Sequence, residues 1–131
     1  MIKYMFSIIL ACCSHLAFAT QSDGVLIHQP NCEACKSLFK DLDVKKEGGQ
    51  FQIEITRSSG ESVTLKLDDW DITDELNKSN LIKRINSGMI HKVSATPTVI
   101  FLDDSQNEVG RVVGYNNVDF LKNLTEIYDK I

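Results

Sequence analysis

Two cysteines separated by two residues, in Asn31-Cys32-Glu33-Ala34-Cys35-Lys36, carry the plainest chemistry in this chain. A thiolate attacks disulfide sulfur, and a second thiol one helical turn away can displace whatever the first has captured. The two sulfurs must then differ in setting. Cys35 opens an apolar stripe with Leu38, Phe39 and Leu42 at helical spacing, so its side chain is expected to be buried. Cys32 falls at the helix start, where unpaired N–H groups and the macrodipole favour a negative sulfur. Asn31 is expected to cap that helix, with Glu33 in its first turn. The spacing therefore assigns attack to Cys32 and resolution to Cys35.

Other uses of such a pair are less well supplied. A metal site needs further ligands, and beyond the N-terminal segment the chain offers only His28, His91 and scattered carboxylates, with no second Cys-x-x-Cys. A structural disulfide across so small a loop constrains the unfolded chain little.

The pair sits in a short chain with an unusual beginning. Of 131 residues, 43% are hydrophobic and 24% charged, and the formal net charge is −4. That composition suits one globular domain, and the absence of a dense cationic run argues against a nucleic-acid partner. Lys3 is the only charge before Asp23, Tyr4 to Cys13 is apolar, and Ala17-Phe18-Ala19 has small residues at a cleavage spacing. This reads as a secretory signal over residues 1–19, cleaved after Ala19, with the domain spanning 20–131 and the product in the periplasm. Ile9-Leu10-Ala11-Cys12 offers a lipoprotein at Cys12 as an alternative. Cleavage removes Cys12 and Cys13 and leaves Cys32 and Cys35 as the only cysteines.

The elements that must position them follow from periodicity. Val25 to Ile27 is an apolar strand leading into the cysteine helix, and Gly48-Gly49 closes that region. Phe51, Ile53 and Ile55, then Val63, Leu65 and Leu67, alternate as two strands joined by a loop over residues 57–61. A second helix runs from Thr73 or Asn80 to Ile85, ahead of Gly88. Val99 to Leu102 and Val109 to Val113 are strands, and Phe120, Leu121, Leu124, Ile127 and Tyr128 mark a last helix. Trp70, within Asp68-Asp69-Trp70-Asp71, is expected to pack near the sheet end. The fold class is α/β, a central mixed sheet flanked by helices.

Pro97, in Val93-Ser94-Ala95-Thr96-Pro97-Thr98, directly precedes an apolar strand, where a proline is tolerated and a cis bond is a defined option. With the cysteine motif and the final Val109-to-Tyr115 segment, this resembles the thioredoxin superfamily over most of the chain beyond residue 19. The resemblance implies a thioredoxin-like fold with no cofactor. It places a cis Pro97 beside the cysteines, with Thr96 offering backbone groups to a bound substrate. It also leaves an added hairpin between the cysteine helix and the second helix.

The departures bear on mechanism. Glu33-Ala34 replaces Gly-Pro, and Leu26 stands where thioredoxins carry a buried acid. Proton exchange with Cys35 then falls to another group or to water. His28 and Glu33 are the candidates, although a surface position is the plainer reading of each. A negative Glu33 opposes the Cys32 thiolate and shifts the couple toward the reducing end. The expected function is an exported thiol–disulfide reductase or electron relay, serving exported protein substrates with cysteines and recharged by a membrane redox partner. The alternatives are a disulfide-introducing oxidase, a binding module that carries metal or a partner protein, and an adaptor with an incidental disulfide.

Overall fold

The structure is a computed structural model and describes residues 22–131, so the signal-peptide reading, Cys12 and Cys13 lie outside the described residues. In chain order the elements are β1 (Gly24–His28), α1 (Glu33–Asp41), β2 (Lys45–Glu47), β3 (Gln50–Thr56), β4 (Ser62–Asp71), α2 (Glu75–Asn86), β5 (Thr98–Leu102), β6 (Glu108–Val113) and α3 (Phe120–Lys130). The strands form one mixed sheet in the order β2-β3-β4-β1-β5-β6. β1 runs parallel to β4 and antiparallel to β5, and the remaining pairs are antiparallel.

Alternation along the strands sorts the apolar side chains into two cores. Leu26 of β1, Phe51, Ile53 and Ile55 of β3, and Leu65 and Leu67 of β4 meet Leu38 of α1 and Phe120 and Leu124 of α3. Val25 and Ile27 of β1, Trp70 of β4 and Ile100 of β5 meet Leu81 of α2 and Ile90 on the other face. Successive strand residues point to opposite faces, so each side of the sheet carries a helical layer. The α/β thioredoxin-like architecture expected from the sequence is therefore present.

Two details position the cysteine segment. β1 passes so close to β5 that a Cβ on Gly24 would stand 2.0 Å from the Ile100 carbonyl oxygen. Only glycine permits that approach, which seats β1 in the middle of the sheet. The expected helix and strand boundaries hold to within a few residues, with α2 beginning at Glu75 under an Asp74 cap that accepts from the Leu76 and Asn77 amides. Two features differ from the sequence reading. Lys45–Glu47 is an additional edge strand, and β4 continues through Asp68-Asp69-Trp70-Asp71 to a length of 10 residues.

Candidate active site

β1 ends at His28, and the chain turns through Gln29, Pro30 and Asn31 into α1. The N-cap of α1 is Cys32 itself rather than Asn31. Its backbone is extended, and its Sγ accepts a hydrogen bond from the Cys35 amide at 3.1 Å. Sulfur thus fills the capping role that sequence preference gave to the Asn31 oxygen. A thiolate there takes one of the unpaired first-turn N–H groups directly and sits at the positive end of the helix.

The two cysteines are joined by a disulfide with Cα atoms 5.2 Å apart. Cys32 retains 9% of its exposure and Cys35 only 1%. That asymmetry is the one the helical stripe required, with one sulfur at the rim and one behind it. Thr96-Pro97 is a cis peptide, Pro97 is buried, and the Thr96 carbonyl oxygen lies 3.3 Å from the Cys32 Sγ. When Cys32 carries a proton, that oxygen is placed to accept it. The Gln29 amide donates to the Thr96 hydroxyl at 3.2 Å, and the Thr98 hydroxyl donates to the Ala95 carbonyl at 2.7 Å, so the loop is fixed from both sides. Cys32 and Thr96, 64 positions apart in the chain, are brought together.

Glu33 and His28, the two candidates for tuning the pair, occupy opposite environments. Glu33 is 88% exposed and pairs with Lys36 one turn on, at 3.4 Å. Solvent and that cation screen its carboxylate, so its effect on the Cys32 thiolate is small. His28 is no surface residue. Its ring lies edge-on to Phe39 of α1 and Phe51 of β3, each at 5.3 Å between centroids, and its Nε2 meets the Asp69 carboxylate at 2.5 Å. Lys46 of β2 closes the other carboxylate oxygen at 2.5 Å. Burial alone would raise the Asp69 carboxyl, but the hydrogen bonds from Lys46 and His28 outweigh it and hold that carboxyl below its ordinary value.

Sequence reading missed Asp69 and Lys46. The signal that finds them is the parallel register, which sets Asp69 of β4 beside Leu26 of β1 and on the same face as His28. Beside Ala34, a shallow cavity of about 360 Å³ is lined by Ser37, Asp41, Tyr115, Asn116 and Asn117. The Tyr115 hydroxyl donates to Asp41 at 2.8 Å and ties the segment after β6 to the last turn of α1. Among the described residues, no three His, Cys, Asp or Glu side chains are grouped to hold a metal ion.

No curated protein and no solved structure matches the chain. A family model described as a thioredoxin-like domain matches residues 24–127, from the first residue of β1 into α3. That span takes in the disulfide, the cis proline and every strand, and the chain belongs to the thioredoxin-like domain family.

Proposed function

We propose that this chain is an exported thiol–disulfide oxidoreductase working in the reducing direction, with Cys32 as attacking thiol and Cys35 as resolving thiol. The observation that carries the reading is the unequal placement of the two sulfurs. Cys32 caps a helix at the rim, beside the Thr96 carbonyl, and Cys35 is buried one turn behind it. Attack by the Cys32 thiolate on a substrate disulfide breaks that bond and forms a mixed disulfide. Cys35 then displaces the substrate thiolate and closes the intramolecular bond, leaving the protein oxidised and the substrate reduced.

The direction is supported by what surrounds Cys32. The dipeptide between the cysteines supplies no cation, and Glu33 is offset by Lys36 rather than by the sulfur. With the helix N-terminus as the main support for the thiolate, the reduced form gains less than in a strongly oxidising pair. The couple then belongs nearer about −270 mV than about −120 mV. In the oxidising compartment implied by the N-terminal segment, a reductant needs electrons from a membrane redox partner, and its substrates are exported proteins with cysteines.

Purified protein is expected to reduce insulin disulfides with dithiothreitol as electron source, and Cys35→Ser to accumulate mixed disulfides through Cys32. A folded Cys35→Ser protein that traps nothing from an extract of exported proteins would remove the enzymatic reading. A reduction potential near the oxidising end of the scale would reverse the direction and leave the chemistry standing.

A further inference from the structure

Cys35 poses a problem that the pair alone does not solve. It is 1% exposed, and a thiol must lose its proton before it can attack, so the resolving step needs an acceptor close to a sulfur that bulk water barely reaches. The titratable groups on the α1 face of the sheet, at the end nearest the cysteines, are His28, Asp69 and Asp71, with Lys46 closing over Asp69 from the edge strand.

The cluster packs against the helix that carries Cys35 and is linked to the loop that faces Cys32. Phe39 lies one helical turn from Cys35 on the same stripe, about 6 Å along the axis, and its ring packs on the His28 ring. Phe39 and Phe51 also contact each other at 5.1 Å, so the imidazole is held between two rings. Gln29, the next residue, bonds to Thr96, whose carbonyl lies on Cys32. The side chains of His28 and Asp69 keep only 13% and 17% of their exposure. With Nε2 engaged by Asp69, Nδ1 is the ring atom left to exchange a proton.

We propose that His28, oriented by Asp69 and Lys46, takes the proton that Cys35 releases as it resolves the mixed disulfide. The inference rests on the proposed redox reading. In the step, the Cys35 Sγ–H proton passes to His28 through water, and the sulfur attacks the Cys32 sulfur. The bond from Cys32 to the substrate breaks, the Cys32–Cys35 bond forms, and the substrate sulfur leaves as a thiolate that takes a proton from the imidazolium or from solvent. Asp69 and Lys46 are positioning residues. Asp69 fixes the ring and stabilises the imidazolium, while Lys46 keeps Asp69 ionised. The charged groups facing His28 are Asp69 and, across the β1–β4 register, Asp71 from β4, with Lys46 from β2 behind Asp69. Its contacts from α1 and β3 are the uncharged Phe39 and Phe51.

The test compares wild type with His28→Gln, which keeps an amide for Asp69, and with Asp69→Asn. Insulin-disulfide turnover is measured from mildly acidic to mildly alkaline pH. His28→Gln is expected to fall on the order of tenfold below wild type at neutral pH and to converge on it as pH rises, because hydroxide replaces the missing base. Asp69→Asn is expected to follow the same profile. Equal rates, or a drop that is uniform with pH, would overturn the inference, and Asp69→Asn decides the matter should His28→Gln fail to fold. Thiol ionisation in the reduced proteins, followed by ultraviolet absorbance, needs no turnover and separates this inference from the redox reading beneath it. His28→Gln should change the proton affinity of a thiol by about fivefold, and an unchanged titration would overturn the role.

Discussion

Asp69 and Trp70 are neighbours on β4, and the pleat sends them to opposite faces of the sheet at the same end of the strand. On the α2 face Trp70 completes an apolar cluster with Val25, Ile27, Leu81, Ile90 and Ile100, and Arg84 stacks over its ring at 5.1 Å. On the α1 face, Asp69 continues the row of Leu65 and Leu67 but ends it in charge, with His28 and Lys46 as partners. One face closes its core with an aromatic lid, whereas the other admits an ionic cluster beside the helix that carries the cysteines. A carboxylate at that depth costs desolvation and needs hydrogen-bond partners, and here both of its oxygens are occupied. One face is thus closed by apolar packing, and the other sets titratable groups beside the cysteine helix.

The comparison breaks most visibly at Trp70. Trp70→Ala empties a large buried site, and a loss of about 3–5 kcal/mol is expected in denaturant unfolding. Because Trp70 packs with Leu81 and Ile90 on the face of the sheet opposite α1, the equilibrium of the Cys32–Cys35 couple with dithiothreitol should stay where it is in the folded protein. A shifted equilibrium would show that the two faces are not independent.

Asp69→Asn probes the other face and gives a smaller effect with a pH signature. Removing a half-buried, hydrogen-bonded charge should cost about 1–2 kcal/mol at neutral pH. The Asp69 carboxyl is depressed in the folded protein, so its contribution is fully present above the unfolded value of about 3.9. It is lost as pH falls through the lower folded value. The gap in unfolding midpoint between wild type and Asp69→Asn should therefore be widest near neutrality and shrink in acid. A gap constant with pH would mean that the carboxylate charge contributes nothing.

The two faces were unequally legible in the sequence. Cys32, Cys35 and Pro97 announce themselves by type and spacing, and the strand before the cysteines and the stripe after them are local patterns. The ionic cluster is not local. Asp69 lies in an acidic run, and aspartate is depleted in strands, so the alternation of β4 is hidden there. His28 and Asp69 are 41 residues apart, and only the parallel pairing of β1 with β4 joins them. Lys46 belongs to a three-residue edge strand with no apolar alternation to reveal it. The cap at Cys32 was hidden for a different reason. Residue preferences rank Asn31 first, but the turn geometry gives the Cys35 amide to sulfur.

Arg84 supplies the smallest test of the contrast. Its guanidinium lies over the Trp70 ring and also donates to Gln106 at 3.0 Å, so its charge is shared between an aromatic face and a surface amide. An exposed cation over a ring is worth about 0.5–1 kcal/mol, and Arg84→Gln is expected to lose that much without acquiring the acid dependence of Asp69. The reason is physical: an arginine stays charged throughout the range in which proteins fold, so nothing titrates. If Arg84→Gln and Asp69→Asn changed with pH in parallel, the charge on the α1 face would be an ordinary surface effect. If Arg84→Gln alone is flat, the His28–Asp69 cluster is the part of this sheet whose state follows the proton.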